Sequence, residues 1–129
     1  MSNNQSVESR SLPLGKVPVI QTDATLKKAL DKMTEHRLGI ALIVSSVGEL
    51  AGVLTDGDLR RLLLGHQSPL PELLVTPAIN FGTRTPTVIA SSASTTEAAK
   101  VMADKEIWDL PVVDSQGKLI GLVHRHNLN

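Results

Sequence analysis

The stretch Gly52-Val-Leu-Thr55-Asp56-Gly57-Asp58-Leu59-Arg60-Arg61 carries the chain from a strand into a helix. Val53 and Leu54 end an apolar run. Thr55, Asp56 and Asp58 are all favourable helix N-caps, and Gly57 allows a sharp bend between them. Leu59, Leu62 and Leu63 then repeat at helical spacing, which predicts a helix over about Leu59 to Leu64 with Gly65 as its stop. A turn of this kind aims backbone N–H groups and the positive end of a helix dipole at one point, where an anion such as phosphate is stabilised. Thr55 has a hydroxyl to donate to a phosphate oxygen. Asp58 can accept from both hydroxyls of a vicinal diol, as ribose presents, and charge-assisted bonds of that type contribute about 1.5–3 kcal/mol each. The same three side chains also suit plain helix capping, so the turn alone leaves both readings open.

Working outward, Leu50 to Leu54 is a return strand paired across the Ser45–Glu49 turn, which contains Gly48, with Ile40 to Val44. That second run is continuously apolar and of strand length, the pattern of a strand buried on both faces. Before it, Thr25 caps a helix whose Leu26, Ala29, Leu30 and Met33 fall on one face, and Arg37-Leu38-Gly39 breaks it. Val17 to Ile20 is a short strand that Pro18 places at an edge or a strand start. Residues 1–15 are rich in Ser, Asn and Gln and read as a flexible arm.

Downstream, the same unit returns at a constant offset of 69 positions. Val19 and Ile20 meet Val88 and Ile89; Ala29 meets Ala98; Met33 meets Met102; Val44 meets Val113; Gly48 meets Gly117; Gly52 meets Gly121; Leu59 meets Leu128. Caps, turns and core positions all match, so the chain is an internal repeat of β-α-β-β-α form. In the second copy Ser94 and Glu97 make a capping box, and Ala98, Ala99 and Met102 are expected to face inward. Between the copies Ser68 reads as a cap with Pro69 in the first turn of a short helix. The organisation expected is an arm over 1–15, a first repeat over 16–75, and a linker plus second repeat over 76–129, together one paired domain. The last helix of the second copy is barely begun at Leu128, which reads as a piece excised from a longer protein.

The bulk composition excludes several classes. The 129 residues carry 13 basic and 13 acidic side chains, so no charge excess points to nucleic acid or an acidic partner. Cysteine is absent, which removes disulfides, thiolate metal sites and a cysteine nucleophile. Phe81 and Trp108 are the only aromatics apart from histidine, so the core is aliphatic. The polar N-terminus has no apolar signal region, and no apolar run is long enough to span a bilayer. A soluble cytoplasmic protein that touches neither membrane nor nucleic acid is expected.

The doubled β-α-β-β-α unit, with Gly52-Val-Leu-Thr55-Asp-Gly-Asp58 after its last strand and Leu110-Pro-Val-Val-Asp114 followed by Gly117-Lys-Leu-Ile-Gly121, resembles the CBS domain family, found as tandem pairs. The resemblance covers about residues 16–129. It implies an α/β (α+β) fold in which the two repeats pack by their sheets with pseudo-two-fold symmetry, leaving two clefts that bind adenosine nucleotides. It also implies that Thr55 contacts phosphate and Asp58 ribose, with the base near Val17, Pro18 and Val19 and near Leu38, Gly39, Ile40 and Ala41. Arg60 and Arg61 would face solvent or the phosphates. The second copy departs from the motif: His124 stands at the Thr position and Asn127 at the Asp position, so a second site is degenerate, either empty or differently selective. His124 and His126 share a strand face but lack neighbouring ligands, and no metal site is expected.

The Leu-Thr-Asp-Gly-Asp-Leu-Arg-Arg stretch, with Val-His-Arg-His-Asn-Leu in the second copy, is similar to the pair attached to sugar-phosphate isomerases, in particular arabinose-5-phosphate isomerase. A similar motif occurs in pairs that precede a sugar nucleotidyltransferase. By resemblance the chain is therefore a regulatory module and not a catalyst. It requires no cofactor and senses AMP, ADP or ATP, with a parent catalytic domain as partner and a homodimer as its assembly. The alternative is a ligand-independent dimerisation module. A small stand-alone enzyme lacks support, because no nucleophile and base stand at a recognisable spacing.

Overall fold

The computed structural model describes residues 5–65 and 67–128. A single helical turn, α1 (Val7–Arg10), and a two-residue strand, β1 (Leu12–Pro13), come first. They are followed by β2 (Val19–Gln21), α2 (Leu26–His36), β3 (Ile40–Val44), β4 (Leu50–Thr55), α3 (Asp56–Gly65) and α4 (Leu70–Leu74). The second half holds β5 (Ile89–Ala90), α5 (Thr95–Lys105), β6 (Asp109–Val113), β7 (Leu119–His124) and a 3-10 turn over Arg125–Leu128. The fold is mixed α/β with two sheets, ordered β2-β3-β4 and β1-β7-β6-β5. Two compact units result: one is Val17–Pro86, the other joins Thr87 onward to the segment ending at Lys16.

In the unit Val17–Pro86, Thr25 Oγ1 accepts the Lys28 N–H at 3.2 Å and starts α2. Arg37, in the left-handed conformation at φ 57°, ends it by returning its N–H to Met33. The helix is the crossover between the parallel strands β2 and β3, and β4 turns back antiparallel through Gly48 at φ 88°. Leu26, Ala29 and Met33 of α2 bury against Ala41, Ile43 and Leu54 on one face of the sheet. Ile40, Leu42 and Val44, on the other face of β3, are buried too, which explains the unbroken apolar run. The far edge of β4 is closed by Thr83, which exchanges two backbone bonds with Val53 at 2.9 and 2.8 Å. That approach requires Gly52: a Cβ there would lie 2.7 Å from the Thr83 carbonyl oxygen.

The other unit repeats these features at the same offset. Ser94 accepts the Glu97 N–H at 3.1 Å, Glu106 closes α5 at φ 55°, and Gly117 turns at φ 80°. A register shift at Val112/Val113 in β6 matches the one at Ile43/Val44 in β3. The far edge of β7 is covered by β1, with Leu12 opposite Leu122 and Pro13 opposite Gly121. Val7 of α1 is fully buried in this unit's core with Ala98 and Met102.

The structure corrects several expectations. The first four residues of the expected arm lie outside the described residues. From Ser6 to Lys16 the chain is no loose arm: it supplies a strand and a core side chain to the unit of the second repeat. Residues 76–86, expected as the linker leading into the second repeat, belong to the compact unit of the first. Ala99 is exposed, and Val101 takes the place expected of it at the core margin. Pro69, not Ser68, is the N-cap of α4, and Pro71 sits in its first turn. Helix α3 starts at Asp56 with no intervening loop, so Gly57 lies inside its first turn at a negative φ and no sharp bend occurs. Among the described residues no helix is long and apolar enough to cross a membrane.

Candidate functional site

Helix α3 leaves the end of β4 directly, and its first turn is held by a reciprocal pair. Thr55 Oγ1 accepts the Asp58 N–H at 3.2 Å. In return Asp58 Oδ2 accepts the Thr55 N–H at 2.9 Å and its hydroxyl at 3.1 Å. This is a capping box with aspartate in place of the usual glutamate. Asp58 Oδ1 receives Arg61 at 2.6 Å. Asp58 is 7% exposed, the one buried polar side chain among the described residues, and it is satisfied on both oxygens. Arg61 is 70% exposed. The capping reading is thus realised, and it brings the two predicted site groups into contact with each other.

Strand directions gather most of the other predicted residues at the same end of the sheet. Thr55 lies opposite Ile40. The Asp56 N–H donates to the Gly39 carbonyl at 3.0 Å, and the Leu42 N–H donates to Pro18 at 2.8 Å. Because β2 runs parallel to β3 and β4 antiparallel to it, Val17 to Val19, Leu38 to Ile40 and Thr55 to Asp58 share one rim. A Cβ on Gly39 would lie 2.5 Å from Asp56 Oδ2, the tip of an exposed side chain that can swing aside. Ala41 does not present its side chain at this rim: it is fully buried in the core beneath α2. Of the two arginines, Arg60 is exposed and Arg61 is the ion-pair partner of Asp58.

The equivalent rim of the second unit is chemically different. His124 Nδ1 lies 2.7 Å from Asp109 Oδ1, the residue opposite it in the β6–β7 pairing. Trp108 stands at the Gly39 position and Arg125 at the Asp56 position. The Arg125 N–H bonds the Trp108 carbonyl at 2.8 Å, as Asp56 does Gly39. The Arg125 guanidinium stacks 4.8 Å above the Trp108 ring. Asn127 is half-buried in the 3-10 turn. The sequence reading missed Asp109, Trp108 and Arg125, although the offset of 69 maps them onto Ile40, Gly39 and Asp56.

The CBS domain family model matches residues 10–65 and 79–128, so both copies are accounted for. The chain belongs to the CBS domain family. As a tandem CBS pair it is similar in structure to CBSX2 of Arabidopsis thaliana, solved in complex with AMP. The TM-score to that complex is 0.82 at 26% identity, covering 95% of this chain and 92% of that one. In sequence it is 36% identical over 113 residues to a protein of Helicobacter pylori, covering 87% of this chain and 33% of the relative. It is 30% identical over 112 residues to the arabinose 5-phosphate isomerase KdsD of Pseudomonas aeruginosa, again covering 87% of this chain and 33% of the relative. The chain therefore spans about a third of the length of these curated relatives.

Proposed function

We propose that this CBS pair is a regulatory, non-catalytic module that binds one adenosine-type nucleotide at the rim formed by Thr55 and Asp58. The observation that carries this reading is the buried Asp58 carboxylate, held by the capping box beneath an exposed arginine at the start of α3. A carboxylate so placed offers acceptors to ribose hydroxyls. The neighbouring helix start favours phosphate beside Thr55, whose hydroxyl is held by Asp58 Oδ2. AMP in the complex of CBSX2 supports the nucleotide class. Occupancy is one per chain, because in the second repeat His124 is engaged by Asp109, Asn127 carries no charge, and Trp108 stands where the first repeat has glycine.

In this reading the catalytic partner is a sugar-phosphate isomerase domain in a cytoplasmic enzyme. Its support is the 30% identity to KdsD, over 33% of that protein's length. Binding would bias the pair between two states and pass a coupling of about 1–3 kcal/mol to the catalytic domain. Calorimetric titration with AMP, ADP and ATP tests the site. Wild type is expected to bind with a stoichiometry of one, and Asp58→Asn and Thr55→Val to bind more weakly by about tenfold or more. At a hundred times its dissociation constant the nucleotide should add about 2.7 kcal/mol to stability, so an unchanged melt at saturating nucleotide would overturn the reading.

A second reading, dimerisation without a ligand, is favoured by the apolar side chains that α3, α4 and the residue after it leave outside. Leu63, Leu64, Leu70 and Val75 are 65%, 82%, 55% and 70% exposed. Light scattering with and without nucleotide separates the two, since only this reading predicts a dimer indifferent to ligand.

A further inference from the structure

Asp58 offers the ligand less than its charge implies. Its Oδ2 is filled by the Thr55 N–H and hydroxyl, and Oδ1 already holds Arg61. A carboxylate oxygen has two acceptor positions, so a ribose diol that uses Oδ1 fully must take the place of the guanidinium. The pair is built for such an exchange. The carboxylate is 7% exposed and the arginine 70% exposed, so Arg61 can leave while Asp58 stays fixed by the capping box. The guanidinium lies over Gly57. Measured from the point where a Gly57 Cβ would stand, Arg61 Nη1 is 3.5 Å away and Thr55 Oγ1 3.6 Å. The arginine and Thr55 thus flank the same spot at the first turn of α3, where an anion is favoured.

We propose that Arg61 is the residue that makes this site select phosphorylated over unphosphorylated nucleosides, by exchanging Asp58 for the ligand's phosphate when ribose binds. This inference rests on the nucleotide-binding reading above. In the empty site Arg61 neutralises the buried acid. In the occupied site the ribose hydroxyls replace it on Oδ1, and the freed guanidinium forms charge-assisted bonds to phosphate beside Thr55. A nucleoside displaces Arg61 and gives it no new partner, whereas a nucleotide supplies one. Arg60, exposed and without a place in this network, is the control.

The test is a matrix of affinities, with AMP measured by calorimetry and adenosine by displacement of AMP, for wild type, Arg61→Ala, Arg61→Lys and Arg60→Ala. Arg61→Ala is expected to lower AMP affinity by about tenfold or more while adenosine affinity stays level or rises, so that the preference for AMP collapses. Arg61→Lys should recover part of the preference, because an ammonium keeps the charge but not the planar fork. Arg60→Ala should leave both affinities unchanged. If Arg61→Ala weakens AMP and adenosine equally, or leaves their ratio at the wild-type value, the exchange is refuted while the site survives. If wild type binds no adenine nucleotide, the site itself falls, and this inference with it.

Discussion

Gly57 separates Thr55 and Asp58, the two groups on which the proposed site depends. It lies in the first turn of α3 without left-handed backbone, so nothing in its conformation demands glycine. Added methyl atoms would meet Arg61 and Thr55 at 3.5 and 3.6 Å, which are ordinary contacts. Gly57→Ala is therefore expected to raise stability by about 0.5–1 kcal/mol, through the lower entropy of the unfolded chain. The same methyl fills the space between the threonine hydroxyl and the guanidinium, so AMP affinity should fall. Thermal melts and titration on one variant check both halves, and a more stable protein with wild-type affinity would show that the ligand does not use that space. Thr55 and Asp58 were legible in sequence as caps and as ligand groups. Their bond to each other was not read, although the Thr-x-x-Asp spacing matches that of a capping box. Arg61 was not placed, because a surface arginine three residues from an acid on a helix has solvent as an equally good partner. His124 was named, but its Asp109 partner required carrying the Ile40–Thr55 register across the repeat.

At the scale of elements, the periodic pieces could be read and the unperiodic ones could not. Helix α2, strand β3 and the β3–β4 hairpin follow from burial patterns and a positive-φ glycine. Their copies α5, β6 and β7 fall 69 residues on, without exception, down to the paired left-handed caps Arg37 and Glu106. The strand edges were missed. β1 is two residues long and the Thr83 contact is a single bridge, so neither has an alternation to read. Both are held by backbone bonds to residues distant in sequence, and the trace they leave is a glycine on the receiving strand. Gly52 and Gly121 occupy the same place in the repeat, and a Cβ on either would meet a carbonyl oxygen, Thr83 at 2.7 Å or Leu12 at 2.9 Å. Each must then lose its edge partner or shift the strand. Gly52→Ala and Gly121→Ala are each expected to destabilise by about 1–3 kcal/mol, the range of overpacked sites. Hydrogen exchange should quicken at Val53 and Thr83 in the first variant and at Leu122 in the second. Unchanged melting temperatures would mean that the edge contacts give way at no cost.

For the whole molecule, chain order and unit membership are not the same. Among the described residues the segment up to Lys16 shares a unit with the residues from Thr87 on, and the unit of the first repeat is the uninterrupted middle, Val17–Pro86. Sequence reasoning assigned residues 1–15 to no unit because their composition is that of a tail. What ties Ser6 to Pro13 down is one apolar side chain and a run of main-chain bonds. Val7 is 0% exposed, its N–H reaches the Ala93 carbonyl at 2.8 Å, and Leu12 and Pro13 cover the edge of β7. Removing residues 1–16 should therefore act on the repeat farther away in sequence. Loss of Val7 alone, as Val7→Ala, is expected to cost about 2 kcal/mol from two buried carbons and the cavity they leave. The truncation adds an uncovered strand edge, which is an invitation to self-association. Hydrogen exchange resolved by peptide should show β6 and β7 losing protection in the truncated chain, while β3 and β4 keep theirs. Nucleotide affinity at Thr55 and Asp58, which lie in the other unit, should be retained as long as that unit stays folded. If protection falls first in β3 and β4, the N-terminal segment supports the repeat it precedes in sequence, and the assignment of the two units is wrong.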